Sequence, residues 1–192
     1  MHTSSLEHME RLIERYLDPL SPLSIIDVGS YDVNGSYRPL FDKPGWFYRG
    51  VDQIAGPNVD IVLENPYCLP LPSNGVDLVI SGQAFEHIDY FWLVFVEMAR
   101  VLKPRGLLFL IAPSRGPEHR CPIDCWRFYP DGYHALARYT NLELIEVQTD
   151  WNPHPATDSA QWGDTVGVFR KPEQPSREVS LLNDSPTEIF RR

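Results

Sequence analysis

The chain has 192 residues, 43% of them hydrophobic, a length and composition that suit one folded domain with a sizeable core. Seventeen Lys and Arg against 26 Asp and Glu leave a formal charge of −9, which argues against a broad nucleic-acid or anionic-membrane surface, because phosphate binding needs clustered positive charge. No apolar run reaches the roughly 18 residues of a membrane span, the N-terminal segment lacks the basic start and apolar block of a secretory signal, and three cysteines (Cys68, Cys121 and Cys125) make no even disulfide framework, so a reduced, cytoplasmic protein is expected.

Residues 3–18 carry Leu6, Met9, Leu12, Ile13, Tyr16 and Leu17 at helical spacing, with Pro19 and Pro22 to end the helix. The run LSIIDV, 23–28, predicts a strand buried on both faces; Gly29 ends it, and a polar loop leads to a short helix over about 36–42. Further strands are expected at 47–51, ending at Asp52, and at 59–63 and 76–81, with a proline-rich loop over 66–74. Residues 89–102 are apolar on most faces and predict a well-buried helix whose Phe91, Trp92, Phe95 and Met98 belong to the core. Lys103-Pro104-Arg105-Gly106 reads as a stop and turn before a fifth strand at 107–112. A polar loop, 113–129, precedes a helix at 131–139 and strands at 142–147 and 165–169. From Lys171 the pattern dissolves into a tail with four cationic and four anionic side chains, so residues 1–170 are expected to form the domain and 171–192 an extension that is mobile or docks on a partner. Alternating strands and helices with near-continuous apolar strands define an α/β protein with a mostly parallel sheet covered on both faces, and ligand sites at the carboxyl ends of its strands.

Two of those strand ends carry chemistry. After the first, Gly29 lets a ligand lie against bare backbone, and Gly35 follows six positions later. The loop has neither the Gly-x-Gly-x-x-Gly spacing of a pyrophosphate site nor the Lys-Ser/Thr of a phosphate loop. After the second stands Asp52, 23 residues beyond Gly29, where a carboxylate can accept both vicinal hydroxyls of a ribose.

These segments, IIDVGSYDVNGS, GVDQ, LENPYCLPLPSNGVDLVISGQAFEHI and VEMARVLKPRGLLFLIAP, together resemble the class I S-adenosylmethionine-dependent methyltransferases over about residues 25–147. In the first segment Ser30 and Asp32 stand where glycine is common, and Asn65 stands where many members carry Asp. The resemblance implies a Rossmann-like three-layer sandwich around a seven-stranded sheet whose last strand, 165–169, runs antiparallel. It implies S-adenosyl-L-methionine as cofactor, with Asp27, Gly29 and Ser30 near its amino-acid end, Asp52 on the ribose, and Gln53, Asn65, Pro66 and Tyr67 around the adenine. Ser81, Gly82 and Gln83 would pass under the sulfonium.

On the acceptor side His87, in the FEHI segment, is the first candidate for a general base and His119 a weaker one. Trp126, Phe128 and Tyr129 could form an apolar wall, and Arg115, Arg120 and Arg127 could bind an anionic group; equally, the aromatics could pack the next helix and Arg127 could pair with Glu86 or Asp124. The substrate-binding set is thus His119, Trp126, Arg127 and Tyr129. His119, Cys121 and Cys125 carry zinc-binding atoms, but their spacing is poor and a fourth ligand is not evident, so no metal is expected. The expected function is methyl transfer to an oxygen or nitrogen of a small-molecule or saccharide-like acceptor, with no nucleic-acid partner and with an oligomer allowed. Two alternatives stay open: a non-catalytic accessory subunit that keeps the fold, and a nicotinamide-dependent oxidoreductase, which the missing phosphate loop disfavours.

Overall fold

A computed structural model describes residues 2–174. Its ten main elements are α1 (Thr3–Tyr16), β1 (Leu23–Val28), β2 (Trp46–Asp52), β3 (Ile61–Val62), β4 (Val76–Gly82), α2 (Phe91–Val101), β5 (Leu102–Pro113), α3 (Pro130–Thr140), β6 (Glu143–Thr149) and β7 (Asp164–Arg170). One-turn 3-10 segments at Arg38–Phe41 and Phe85–His87 complete them. The strands form one seven-stranded sheet in the order β3-β2-β1-β4-β5-β7-β6. β7 is antiparallel to both its neighbours and the other described pairs are parallel, as expected.

The inner strands are apolar on both faces because each face meets a separate core. Ile26, Val79, Leu108 and Leu110 point toward α2 and α3, where Phe95, Met98 and Tyr133 are fully buried. Their sequence neighbours Ile25, Leu78, Ile80, Phe109 and Ile111 point the other way, onto Met9, Leu12 and Ile13 of α1 and onto Tyr37 and Phe41. Side chains alternate along a strand, so a buried central strand needs an apolar residue at every position. α3 starts with Pro130 in its first turn and ends at Asn141 in the left-handed conformation, both favoured helix boundaries.

The structure corrects several expected boundaries. Lys103–Gly106 is not a turn: β5 runs through it as a bulge, with Arg105 at φ 68 and the register shifting between Val76 and Leu78. The Arg105 N–H donates to the Lys171 carbonyl and the Lys171 N–H to that of Gly106, at 2.8 and 3.0 Å. Lys171 therefore belongs to the folded body; its ammonium also donates to the carbonyls of Ala99 and Leu102. The remainder of the expected mobile tail, from 175 onward, lies outside the described residues. β3 shrinks to two residues. α2 is less enclosed than its composition suggests, with Leu93 and Val96 exposed.

Candidate functional site

The cleft opens at the carboxyl ends of β1, β2 and β4, beside the position where the strand order reverses. It has two joined halves, of about 300 and 250 Å³, which share Gly29, Tyr31, Val33, Gln83, His87 and Cys121. Gly29 sits at φ 79, and a Cβ there would lie 2.3 Å from that of Ala84, so the turn that floors both halves requires glycine.

The larger half holds Asp52, Gln53, Ile54, Leu63, Pro66 and Tyr67. Asp52 accepts the Tyr31 and Ile54 backbone N–H groups at 3.0 and 3.1 Å, one on each oxygen. About two of a carboxylate's roughly four lone-pair directions then stay open for a ligand. Tyr67 is held by its hydroxyl, which donates to Asp89 at 2.5 Å.

The smaller half holds Asp27, Ser30, Tyr37, Gly82, Glu86, His119 and Trp162. Asp27 is buried, which pushes its carboxyl up to about 7; the Tyr48 hydroxyl donates to it and, with Arg38, partly offsets the rise, while Asp52 adds to it. Arg38 stacks on the Tyr48 ring, 4.5 Å from its centroid. Gln83, at φ 57, donates to Asp164 at 2.9 Å and to Ser5 at 3.2 Å, tying the cleft floor to β7 and α1.

At the far end Glu86, His87 and His119 converge. Glu86 is fully buried, and neither of its carboxyl oxygens has a hydrogen-bond partner. Burial pushes it up to about 8, with the Arg127 charge opposing and Asp164 and Asp124 adding to the rise. His87 Nε2 lies 3.7 Å and His119 Nε2 3.9 Å from Glu86 Oε1. His87 Nδ1 is 2.5 Å from the Ile123 carbonyl; a carbonyl only accepts, so Nδ1 carries the hydrogen and the Nε2 lone pair faces the cleft. Burial lowers the His87 pKa, which favours this neutral form.

Of the residues expected from sequence, Asp27, Gly29, Ser30, Asp52, Gln53, Pro66, Tyr67, Gly82, Gln83, His87 and His119 line the cleft. Five do not. Asn65 is exposed and gives its amide oxygen to the Tyr67 N–H. Ser81 is buried and donates to the Val28 carbonyl at 2.7 Å, pinning β4 to β1. Trp126 packs on Phe91 and Trp92 and donates to the Ile88 carbonyl. Arg127 grips both oxygens of Asp124, at 2.6 and 2.9 Å, and the Pro117 carbonyl, bracing the loop over 113–129. Tyr129 stacks on Trp151. Phe128, the other aromatic of the expected wall, is core. Sequence reasoning missed Trp162, His2 and Asp158 as lining residues of the smaller half. It noted Glu86 as a partner for Arg127; the glutamate-histidine pair just after β4 was the available signal.

A family model described as a methyltransferase domain matches residues 46–110. The chain is 28% identical over 164 residues to an uncharacterised methyltransferase of Mycobacterium leprae, a match covering 75% of this chain and 58% of that protein. It is 27% identical over 167 residues to one of Mycolicibacterium gilvum, covering 77% and 63%. The chain thus spans about six-tenths of the length of these curated relatives. Among solved structures, 1,6-didemethyltoxoflavin-N1-methyltransferase of Burkholderia thailandensis, with bound 1,6-didemethyltoxoflavin and S-adenosylhomocysteine, shares the fold at a TM-score of 0.67 and 16% identity, over 88% of this chain and 79% of that one. The sequence motifs, the sheet order and these matches support a class I S-adenosylmethionine-dependent methyltransferase. S-adenosylmethionine is the cofactor of that family.

Proposed function

We propose that the chain transfers the methyl group of S-adenosylmethionine to an oxygen or nitrogen of a small-molecule or saccharide-like acceptor. The observation that carries this reading is the two-part cleft, with Asp52 in one half, Asp27 in the other and the bare backbone of Gly29 between them. The adenosine occupies the larger half, its ribose hydroxyls on the open lone pairs of Asp52 and its base beside Gln53, Ile54 and Pro66. The methionine end lies over Gly29, with its ammonium on Asp27. The sulfonium methyl then points along the smaller half toward Glu86, His87 and His119.

Transfer is an in-line displacement: the sulfur–methyl bond breaks, the acceptor–methyl bond forms, and the sulfur leaves as a neutral thioether that needs no acid. Alignment supplies much of the rate. An acceptor O–H or N–H gives its proton to the neutral His87 Nε2, which the Ile123 carbonyl orients. The smaller half, at about 250 Å³, suits a compact acceptor. The Burkholderia neighbour, whose acceptor is a small molecule, supports the same scale. The net charge of −9 supports an acceptor other than nucleic acid. Three exposed, unpaired cysteines support a reducing, cytoplasmic setting.

Calorimetric titration with S-adenosylhomocysteine and, separately, with NADH tests the reading. Tight binding of the first alone is expected; binding of NADH alone would overturn it. Turnover of S-adenosylmethionine across an acceptor panel separates an enzyme from an accessory subunit.

A further inference from the structure

Buried carboxylates in folded proteins meet donors, because an unpaired one loses its hydration with nothing in return. Asp164 obeys this rule: His2, Ser4 and Gln83 all reach it, at 2.8 to 3.2 Å. Asp150 and His8 likewise satisfy each other at 2.6 Å. Glu86 does not. It is fully buried, both its oxygens lack a partner, and it lines the smaller half of the cleft. Two imidazole nitrogens lie 3.7 and 3.9 Å from its Oε1, and the three ligand atoms lie within 4.8 Å of one another.

We propose that Glu86, His87 and His119 form a binding site for a divalent transition-metal cation of the zinc or iron(II) class. Two imidazoles and one carboxylate are a borderline donor set, which favours such ions over magnesium or calcium. A cation about 2.0–2.2 Å from each donor needs donors roughly 3–3.5 Å apart. The two spacings to Glu86 Oε1, 3.7 and 3.9 Å, exceed that by a few tenths of an ångström. The outer support of one histidine, His87, is in place too. The Ile123 carbonyl fixes the His87 tautomer with Nε2 inward. Asp124 Oδ2 accepts the His119 backbone N–H at 2.8 Å; it also lies 3.3 Å from His119 Nδ1 but does not hydrogen-bond it. A second group that holds the outer nitrogen of a metal-binding histidine is the usual companion of such sites. Three protein ligands leave open positions toward the cleft.

On the methyl-transfer reading above, an open position would take an acceptor oxygen, so the acceptor class narrows to molecules with a ligating hydroxyl, enolate or carboxylate. His87 would then be a ligand, and the cation would make the acceptor hydroxyl more acidic. The site itself stands without that reading.

The test is equilibrium binding of Co2+ and Zn2+ to the full chain by calorimetry, with the visible absorption of the cobalt form as a second readout. One equivalent of metal is expected. His119→Ala and Glu86→Gln should each weaken it at least tenfold. Cys121→Ser/Cys125→Ser should keep full affinity. Circular dichroism and S-adenosylhomocysteine binding establish that each variant is folded. Absence of stoichiometric metal from the wild-type chain would overturn the site, as would His119→Ala binding unchanged, or loss of metal from the double cysteine variant. Metal binding without S-adenosylhomocysteine binding would overturn the methyl-transfer reading and leave the site standing.

Discussion

Replacing Asp52 by alanine probes the grip on the cofactor's sugar. The carboxylate already accepts two backbone N–H groups at 3.0 and 3.1 Å, and its two open lone-pair directions are those assigned to the ribose. Hydrogen bonds to a charged group contribute about 1.5–3 kcal/mol. At 1.4 kcal/mol per factor of ten, the Kd for S-adenosylhomocysteine should rise roughly 10- to 150-fold. The substitution also frees the Tyr31 and Ile54 N–H groups, but the position is half-exposed, so water can replace the carboxylate and stability should fall by only about 1 kcal/mol. Calorimetry with S-adenosylhomocysteine and its 2′-deoxy analogue, on wild type and variant, separates the two effects. Wild type should bind the deoxy analogue more weakly, and Asp52→Ala should nearly erase that difference. An equal deoxy penalty in both proteins, or an unchanged Kd, would refute the assignment.

Asp27 gives a signed pH dependence. Its carboxyl sits at about 7 against an ordinary 3.8, so its contribution to stability is fully present below 3.8 and is lost as pH rises through 7. Thermal melts should show wild type losing stability relative to Asp27→Asn between about pH 4 and 7, with no further loss above that. Cofactor affinity should run the opposite way, because the ammonium selects the ionised carboxylate. Below about 7, Kd for S-adenosylhomocysteine should approach a tenfold rise per pH unit lost, and a flat profile would remove Asp27 from the ammonium site. Gly29→Ala forces φ 79 on a residue with a Cβ and drives that atom against Ala84, so urea denaturation should report a loss of about 1–3 kcal/mol together with weaker cofactor binding. Arg127→Ala leaves Asp124 without its main partner; it should cost about 1–3 kcal/mol and speed proteolysis within 113–129, and an unaltered cleavage rate would show that the pair does not brace the loop.

The inner strands were legible because burial on both faces leaves a continuous apolar run, as in LSIIDV and LLFLIA. The bulge at Lys103–Gly106 was not, since its Pro and Gly are also turn residues, and only pairing with distant Lys171 keeps the segment in the sheet. In the cleft, the half proposed for the cofactor left marks in the sequence: a glycine that must turn sharply and an acid at the next strand end. The outer wall of the smaller half did not. Trp162 and Asp158 come from a stretch with no periodicity, and His2 precedes the first helix. Trp126, Arg127 and Tyr129 have side chains suited to ligands, yet their indole N–H, guanidinium and ring are spent on Ile88, Asp124 and Trp151. Residue type alone does not distinguish a wall that faces a ligand from one that faces the protein.

The reversed direction of β7 has a bearing on how this fold can vary. Because that strand starts beside the carboxyl end of β5, Asp164 opposite Pro113, the whole stretch from 150 to 163 is delivered to the rim of the smaller half, where Asp158 and Trp162 serve as its outer wall. That stretch joins two strands already paired along their length. Residues inserted there would enlarge or reshape the rim while every rung of the sheet stayed in place, at an entropic cost of only about 0.6 kcal/mol for each doubling of loop length. The rim of the smaller half can thus vary through this one hairpin independently of the half that contains Asp52.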